Sequence, residues 1–124
     1  MRYIKLFESS NKTKLKEDID GLLIELKDNN FFVKVNIEKE RVIIVLHQEN
    51  MIYDRFKYSE VEDYIDTTID YLKYFWNKDV TVKYEIHYKF KGYSRDRDID
   101  SKVNLIEETR DKLLNFIIIK INKV

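Results

Sequence analysis

Two periods of apolar and polar residues alternate along the chain, and the changes between them mark out its elements. Tyr3 to Phe7 is a short apolar stretch ahead of Ser9, Ser10 and Asn11, good helix N-caps, so the pattern predicts a strand followed by a helix. From Thr13 to Lys27, Leu15, Ile19, Leu22, Leu23 and Leu26 recur at helical spacing among Lys14, Lys16, Glu17, Asp20 and Glu25. This is an amphipathic helix lying on a core. Asp28, Asn29 and Asn30 should end it, because Asn tolerates the left-handed backbone that closes a helix where glycine is missing.

The period then shortens to two. Phe31, Val33, Val35 and Ile37 alternate with Phe32, Lys34, Asn36 and Glu38, as in a strand with one buried face. After the charged turn at 38–41, Val42 to Leu46 is apolar without alternation, which suits a strand placed centrally with both faces covered. Between Gln48 and Tyr58, the residues Met51, Tyr53, Phe56 and Tyr58 fit either a third strand of a meander or a partly buried loop. Ser59 and Glu62 form a capping-box pattern ahead of Val61, Ile65, Thr68, Ile69, Leu72 and Phe75, which predicts a helix over Glu60 to Trp76 with Asn77 as its stop. From Val80 to Phe90 the alternation is clean: Val80, Val82, Tyr84, Ile86, Tyr88 and Phe90 face one way, Thr81, Lys83, Glu85, His87 and Lys89 the other. Gly92 to Asp100 reads as a polar loop, and Ser101 opens a third helix through Val103, Ile106, Leu113 and Ile117, unless the β-branched run at 116–122 makes that end a strand.

Strand, helix, strand, strand, helix, strand is the ferredoxin-like order. The expected fold is therefore α+β, a ferredoxin-like βαββαβ two-layer sandwich with an added C-terminal helix, and 51–58 and 116–122 are candidate extra strands. In that arrangement Tyr3 to Phe7 and Val42 to Leu46 are the central strands, and the sheet face away from the helices is partly apolar. The C-terminal segment or a second copy of the chain would have to cover it.

Bulk composition narrows the class. At 124 residues, residues 1–124 read as one domain. Its 44% hydrophobic and 14% aromatic content suffices for a core despite 37% charged residues. The 23 basic and 23 acidic side chains cancel, so no long-range field draws the chain to duplex DNA or anionic membranes. Zero cysteines remove disulfides, thiolate nucleophiles and sulfur metal sites together. The opening lacks a secretory h-region, and apolar runs such as Phe116 to Ile119 are far short of the roughly 20 residues of a membrane helix. A soluble cytoplasmic protein without a membrane partner is the expectation.

The most pointed chemical signal is DRDIDSKVNLIE. Asp96, Asp98, Asp100, Asn104 and Glu107 occupy positions 1, 3, 5, 9 and 12 of a calcium loop, with apolar Val103 at position 8. Against Ca2+ stands Ser101 at position 6, where the sharp turn asks for glycine at a cost on the order of 1 kcal/mol, and an entering segment that reads as strand. The competing explanation is a solvated acidic loop in which Asp100 or Ser101 caps the next helix. His47 and His87 are the only histidines; as neighbours in one sheet they would, with Glu85, suit a metal site or an acid–base pair, and otherwise they are surface residues. Glu62, Asp63, Asp66 and Asp70 form an acidic stripe on the second helix, which keeps a face wet or meets a basic partner. Tyr64, Tyr71, Tyr74, Phe75 and Trp76 on that helix read as core and rim.

Single-stranded nucleic acid binds ferredoxin-like sheets through exposed aromatics, but the face Thr81, Lys83, Glu85, His87, Lys89 carries none. The basic residues Lys78, Lys83, Lys89, Lys91, Arg95 and Arg97 are offset by Asp79, Glu85, Asp96 and Asp98, so nucleic acid is not the expected partner. Walker A, GxGxxG, HExxH and GxSxG are absent, and two glycines cannot build a phosphate-cradling loop.

MRYIKLFESS, followed by the amphipathic helix ending LLIELKDNNFFVKV, resembles the opening of many small uncharacterised proteins of large tailed phages and marine viral metagenomes, with a looser likeness at YSEVEDYIDTTIDYLKYF. That resemblance implies a viral or marine provenance and an accessory or virion-associated role, in the host cytoplasm or the virion. No catalytic residue comes with it. With no catalytic set and with apolar strand faces to cover, the expected function is that of a non-enzymatic interaction protein with a protein partner or a homo-oligomeric state. A calcium module, a single-strand nucleic-acid binder and a small His47/His87 enzyme are the alternatives.

Overall fold

A computed structural model of the chain describes residues 2–50, 54–90 and 92–124, with side chains from residue 12 onward except at 90. Its elements are α1 (Arg2–Leu22), α2 (Ile24–Asp28), β1 (Phe31–Ile37), β2 (Arg41–Gln48), α3 (Glu62–Trp76), β3 (Val80–Phe90), β4 (Tyr93–Ile99), α4 (Lys102–Thr109) and β5 (Leu114–Lys123). The five strands form one antiparallel sheet in the order β1-β2-β5-β3-β4. The fold is α+β, as the sequence pattern predicts. No described helix is long and apolar enough to cross a membrane.

The amphipathic periods account for the core. Leu15, Ile19, Leu23 and Leu26 from α1–α2 and Ile65, Ile69 and Leu72 from α3 pack on one sheet face, against Val42, Ile44 and Leu46 of β2, Ile117, Ile119 and Ile121 of β5, and Tyr84, Ile86 and Tyr88 of β3. The two helix stops behave as the sequence suggests, since Asn30 and Asn77 take positive φ, 69° and 52°. β2 lies inside the sheet between β1 and β5, where an apolar strand belongs. At the capping-box pattern the chain instead makes one 3-10 turn, Tyr58–Glu60, in which Lys57 N–H donates to Glu60 Oε2 at 2.7 Å, and α3 starts after it.

Two expectations need correction, and two choices that the sequence leaves open are decided. Tyr3 to Phe7 lies within the long helix α1, so the leading strand of a ferredoxin-like fold is missing. Tyr93 to Ile99 is the edge strand β4 rather than a loop: Gly92, at φ 83°, turns the chain so that Phe90 pairs with Tyr93. Edge strands tolerate charged residues, which discourage further pairing, so its polarity does not oppose strand formation. The third helix stops at Thr109, and 114–123 becomes β5, the middle strand, because consecutive isoleucines fit a sheet buried between two neighbours better than a helix turn. No extra strand forms at the described part of 51–58, where Phe56 makes only a single bridge to Leu114; Met51 and Tyr53 lie outside the described residues.

Polar clasps hold the helices to one another. The Tyr71 hydroxyl donates to Asp18, and Tyr64 donates to Glu25 Oε2 at 2.6 Å, tying α3 to α1 and α2. Lys102 Nζ reaches Asp66 at 2.5 Å and Glu62 at 3.6 Å, so the acidic stripe of α3 meets a lysine of α4.

Ile119→Ala, at a fully buried site in the middle strand, should lower unfolding free energy by about 2–5 kcal/mol in urea titrations. Val103→Ala, 70% exposed, should change it by less than about 0.5 kcal/mol, and equal effects would contradict the central place of β5. Burial, and then the hydrogen bond to Asp18, push the Tyr71 phenol up to about 12, and burial also raises that of Tyr58. A raised folded-state pKa favours the protonated phenol, so this part of the stability is complete below the unfolded value near 10 and is lost as pH rises toward 12. Tyr71→Phe should make stability measured across that alkaline window fall less steeply than in the unmodified chain.

Candidate functional site

The helices cover one face of the sheet, and strand alternation sends a second set of side chains to the other. Register places five of these in one row across all five strands: Phe32 on β1, His47 on β2, Phe116 on β5, His87 on β3 and Asp96 on β4. Phe32 is 51% exposed, and His47, Phe116 and His87 are half-buried. The buried side chains described for α1, α2 and α3 pack on the opposite face.

The rings of the row stand against one another. Phe32 and His47 stack at 4.7 Å between centroids with 12° between planes, and His87 and Phe116 at 5.1 Å and 6°. Rings lying flat side by side on the sheet could not approach so closely, so these stand upright and spend their faces on each other. Their edges point outward.

Hydrogen bonds fix both imidazoles. His47 Nδ1 lies 2.7 Å from the carbonyl of Gln48, and His87 Nδ1 pairs with Asp96 Oδ1. A carbonyl and a carboxylate only accept, so each Nδ1 is the donor and each neutral imidazole keeps its lone pair on Nε2. Phe116 stands between the two histidines, which are two strands apart, on the order of 10 Å. They share a row without forming an acid–base pair or meeting at one ion.

The next row reads Lys34, Val45, Ile118, Glu85 and Asp98. With Ile43 one row farther along β2, Val45 and Ile118 extend the aromatic row into an apolar stripe. Glu85 and Asp98 are like charges directly opposite, an arrangement that costs stability and is relieved by Lys120 Nζ at 2.6 Å from Glu85 Oε1. The face thus carries an apolar stripe on β2 and β5, lysines around it at Lys34, Lys83, Lys89 and Lys120, and acidic Asp96 and Asp98 along the β4 edge.

The calcium spacing is dispersed by β4. Its extended backbone sends Asp96 and Asp98 to the open face, Asp100 follows the strand, and Asn104 and Glu107 are exposed on α4. Asn104 N–H donates to Ser101 Oγ at 3.2 Å, so Ser101 caps the helix. Among the described residues, no three carboxylate or imidazole groups gather where one metal ion could bind. His47 and His87 do come into one sheet, as their strands suggested, and the open face of β3 carries the five residues expected of it.

Sequence reasoning missed Phe116 and Phe32 as members of this surface. The sequence leaves 116–122 open between a helix end and a strand, and the aromatic-free face it assigns to β3 takes no account of the strand beside it. The alternation of 116, 118 and 120 against 117, 119 and 121 is the signal that could have placed it.

Asp96→Ala should release His87 Nδ1 and shift its neutral form toward the Nε2–H tautomer, measured by imidazole nitrogen chemical shifts, while His47 stays unchanged. An unaltered His87 tautomer would show that Asp96 does not orient the ring.

The surface rests on its geometry alone, because no family model, curated protein or solved structure matches this chain.

Proposed function

We propose that the chain is a small non-enzymatic interaction protein that self-associates by packing its open sheet face against the same face of a second copy. The observation that carries this reading is the stripe of Phe32, Ile43, Val45, Phe116 and Ile118 on the face opposite the helices. Apolar stripes rimmed by charge favour association, and two sheets stacked about 10 Å apart would hide it on both sides.

Charge selects the second copy and its orientation. With a twofold axis running along β5, each β1 edge lies over the other copy's β4 edge, and Lys34 faces the partner's Asp98. The other in-plane axis sets acidic edge over acidic edge, which like-charge repulsion disfavours. Single-stranded nucleic acid suits the face less well: the ring faces that bases would need are stacked on each other, and Asp96 and Asp98 repel phosphates along one edge. The likeness of the opening residues to tailed-phage proteins adds an accessory or virion-associated setting to this proposal.

Sedimentation velocity should find a dimer, and Phe32→Glu should abolish it without unfolding the domain, since that side chain is half exposed on an edge strand. Lys34→Asp should weaken association about fivefold, and adding Asp98→Lys should restore it. A strict monomer up to about 500 µM would overturn the proposal.

A further inference from the structure

A second surface lies at the end of the sheet where β1 turns into β2. There α1 brings Lys12 and Leu15, the last turn of α3 brings Phe75 and Trp76, the β1 end and turn bring Ile37, Glu38 and Lys39, and β5 ends at Lys123. These elements meet around a cleft of about 570 Å³, within the range that holds one small ligand. Leu15 is buried at its base, while Ile37, Phe75 and Trp76 are half-buried along its walls. Both rings pack on the rim of the core, Phe75 also against Tyr71, and their partly exposed surface lines the cleft.

The charge of the cleft lining is one-sided, with Glu40 in the adjoining groove that Lys39 and Lys123 also line. Three lysines, Lys12, Lys39 and Lys123, face one carboxylate, Glu38, a lining charge of +2 in a chain whose total is zero. Among the described residues no ion pair engages any of the three lysines. Half-buried aromatic surface beside uncompensated cations suits a molecule with a flat ring and an anionic group. α3 ends here with its carbonyls, whose partial negative charge keeps an anion away from the Trp76 end. That leaves the strand-side lysines, Lys39 and Lys123, for the anion, with the ring along Phe75 and Trp76.

We propose that this cleft binds a small aromatic phosphate of mononucleotide size, with the ring against Trp76 and the phosphate held by Lys39 and Lys123. The site lies at the sheet's end, away from the aromatic row of the open face, and does not depend on self-association.

Trp76 is the single tryptophan of the chain, so its indole N–H gives one NMR signal that reports on the cleft. Titrating AMP should move that signal saturably, whereas adenosine, which lacks the charge, and inorganic phosphate, which lacks the ring, should each need several times higher concentration. Lys39→Ala with Lys123→Ala should weaken AMP binding roughly fivefold to tenfold and leave adenosine binding unchanged. Both lysines sit at an exposed turn or a strand end, and an otherwise unchanged amide spectrum would verify the fold of the double variant. The proposal fails if AMP does not move the Trp76 signal saturably up to about 10 mM, if adenosine binds as tightly as AMP, or if the double variant binds AMP undiminished.

Discussion

A strand in the middle of a two-layer domain can hide only one of its faces inside that domain, and β5 carries apolar residues on both. Ile117, Ile119 and Ile121 are fully buried beneath the helices, while Phe116 and Ile118 face the other way. The rest of the structure follows from this strand. β2 and β3 take the places beside it, each with its own buried alternation, and β1 and β4 fall to the margins, where β4 can carry Asp96, Asp98, Arg95 and Arg97 at little cost. A bulge near its start shifts the register between His87 and Tyr88, which lets Leu114 turn into the core two residues before Phe116 turns out of it. Loss of the inward isoleucines would remove the core, and loss of the outward residues would remove the surface.

How much of this was legible in the sequence depended on how far each signal extends along the chain. α3 and β3 were clear because eleven or more residues hold one period, and β1 and β2 because a charged turn separates two short apolar runs. Tyr3 to Phe7 was not legible, since five residues, four of them apolar, satisfy a strand as readily as a turn and a half of helix. At the other end, Val103, Ile106, Leu113 and Ile117 imitate a continuing helical face across the break at 110–113, although the β-branched run had raised the strand as an option. That one choice hid the site. Phe116 joins His47 and His87 only through pairing between residues as many as 69 positions apart, and register of that kind is not written in any local window. The histidines themselves were picked out for their chemistry, but their hydrogen bonds to Gln48 and Asp96 are tertiary facts.

The row has a property that scattered surface aromatics lack. Each ring is held by a stacked neighbour, and the histidines are held a second time by an Nδ1 hydrogen bond. Side chains already held in place lose little rotamer freedom when a partner covers them, so less of the burial free energy is offset by ordering. Stacking also converts two polar imidazoles into components of an apolar wall, with only Nε2 left to be satisfied across an interface. A short hydrogen-bonding partner or a trapped water meets that need more easily than an unpaired charge would.

The two proposed sites occupy different parts of the same fold. β1 and β5 contribute to both, but their outward residues in mid-strand serve the open face, while their ends, at Ile37 and Lys123, serve the cleft. Coupling between sites needs an element with two arrangements whose balance both ligands shift. A sheet hydrogen-bonded along its whole width and packed on a continuous core offers no such element between Phe32 and Lys39. The two binding events should therefore add rather than cooperate, each governed by its own local chemistry: apolar burial and edge charge on the face, ring contact and lysine charge in the cleft.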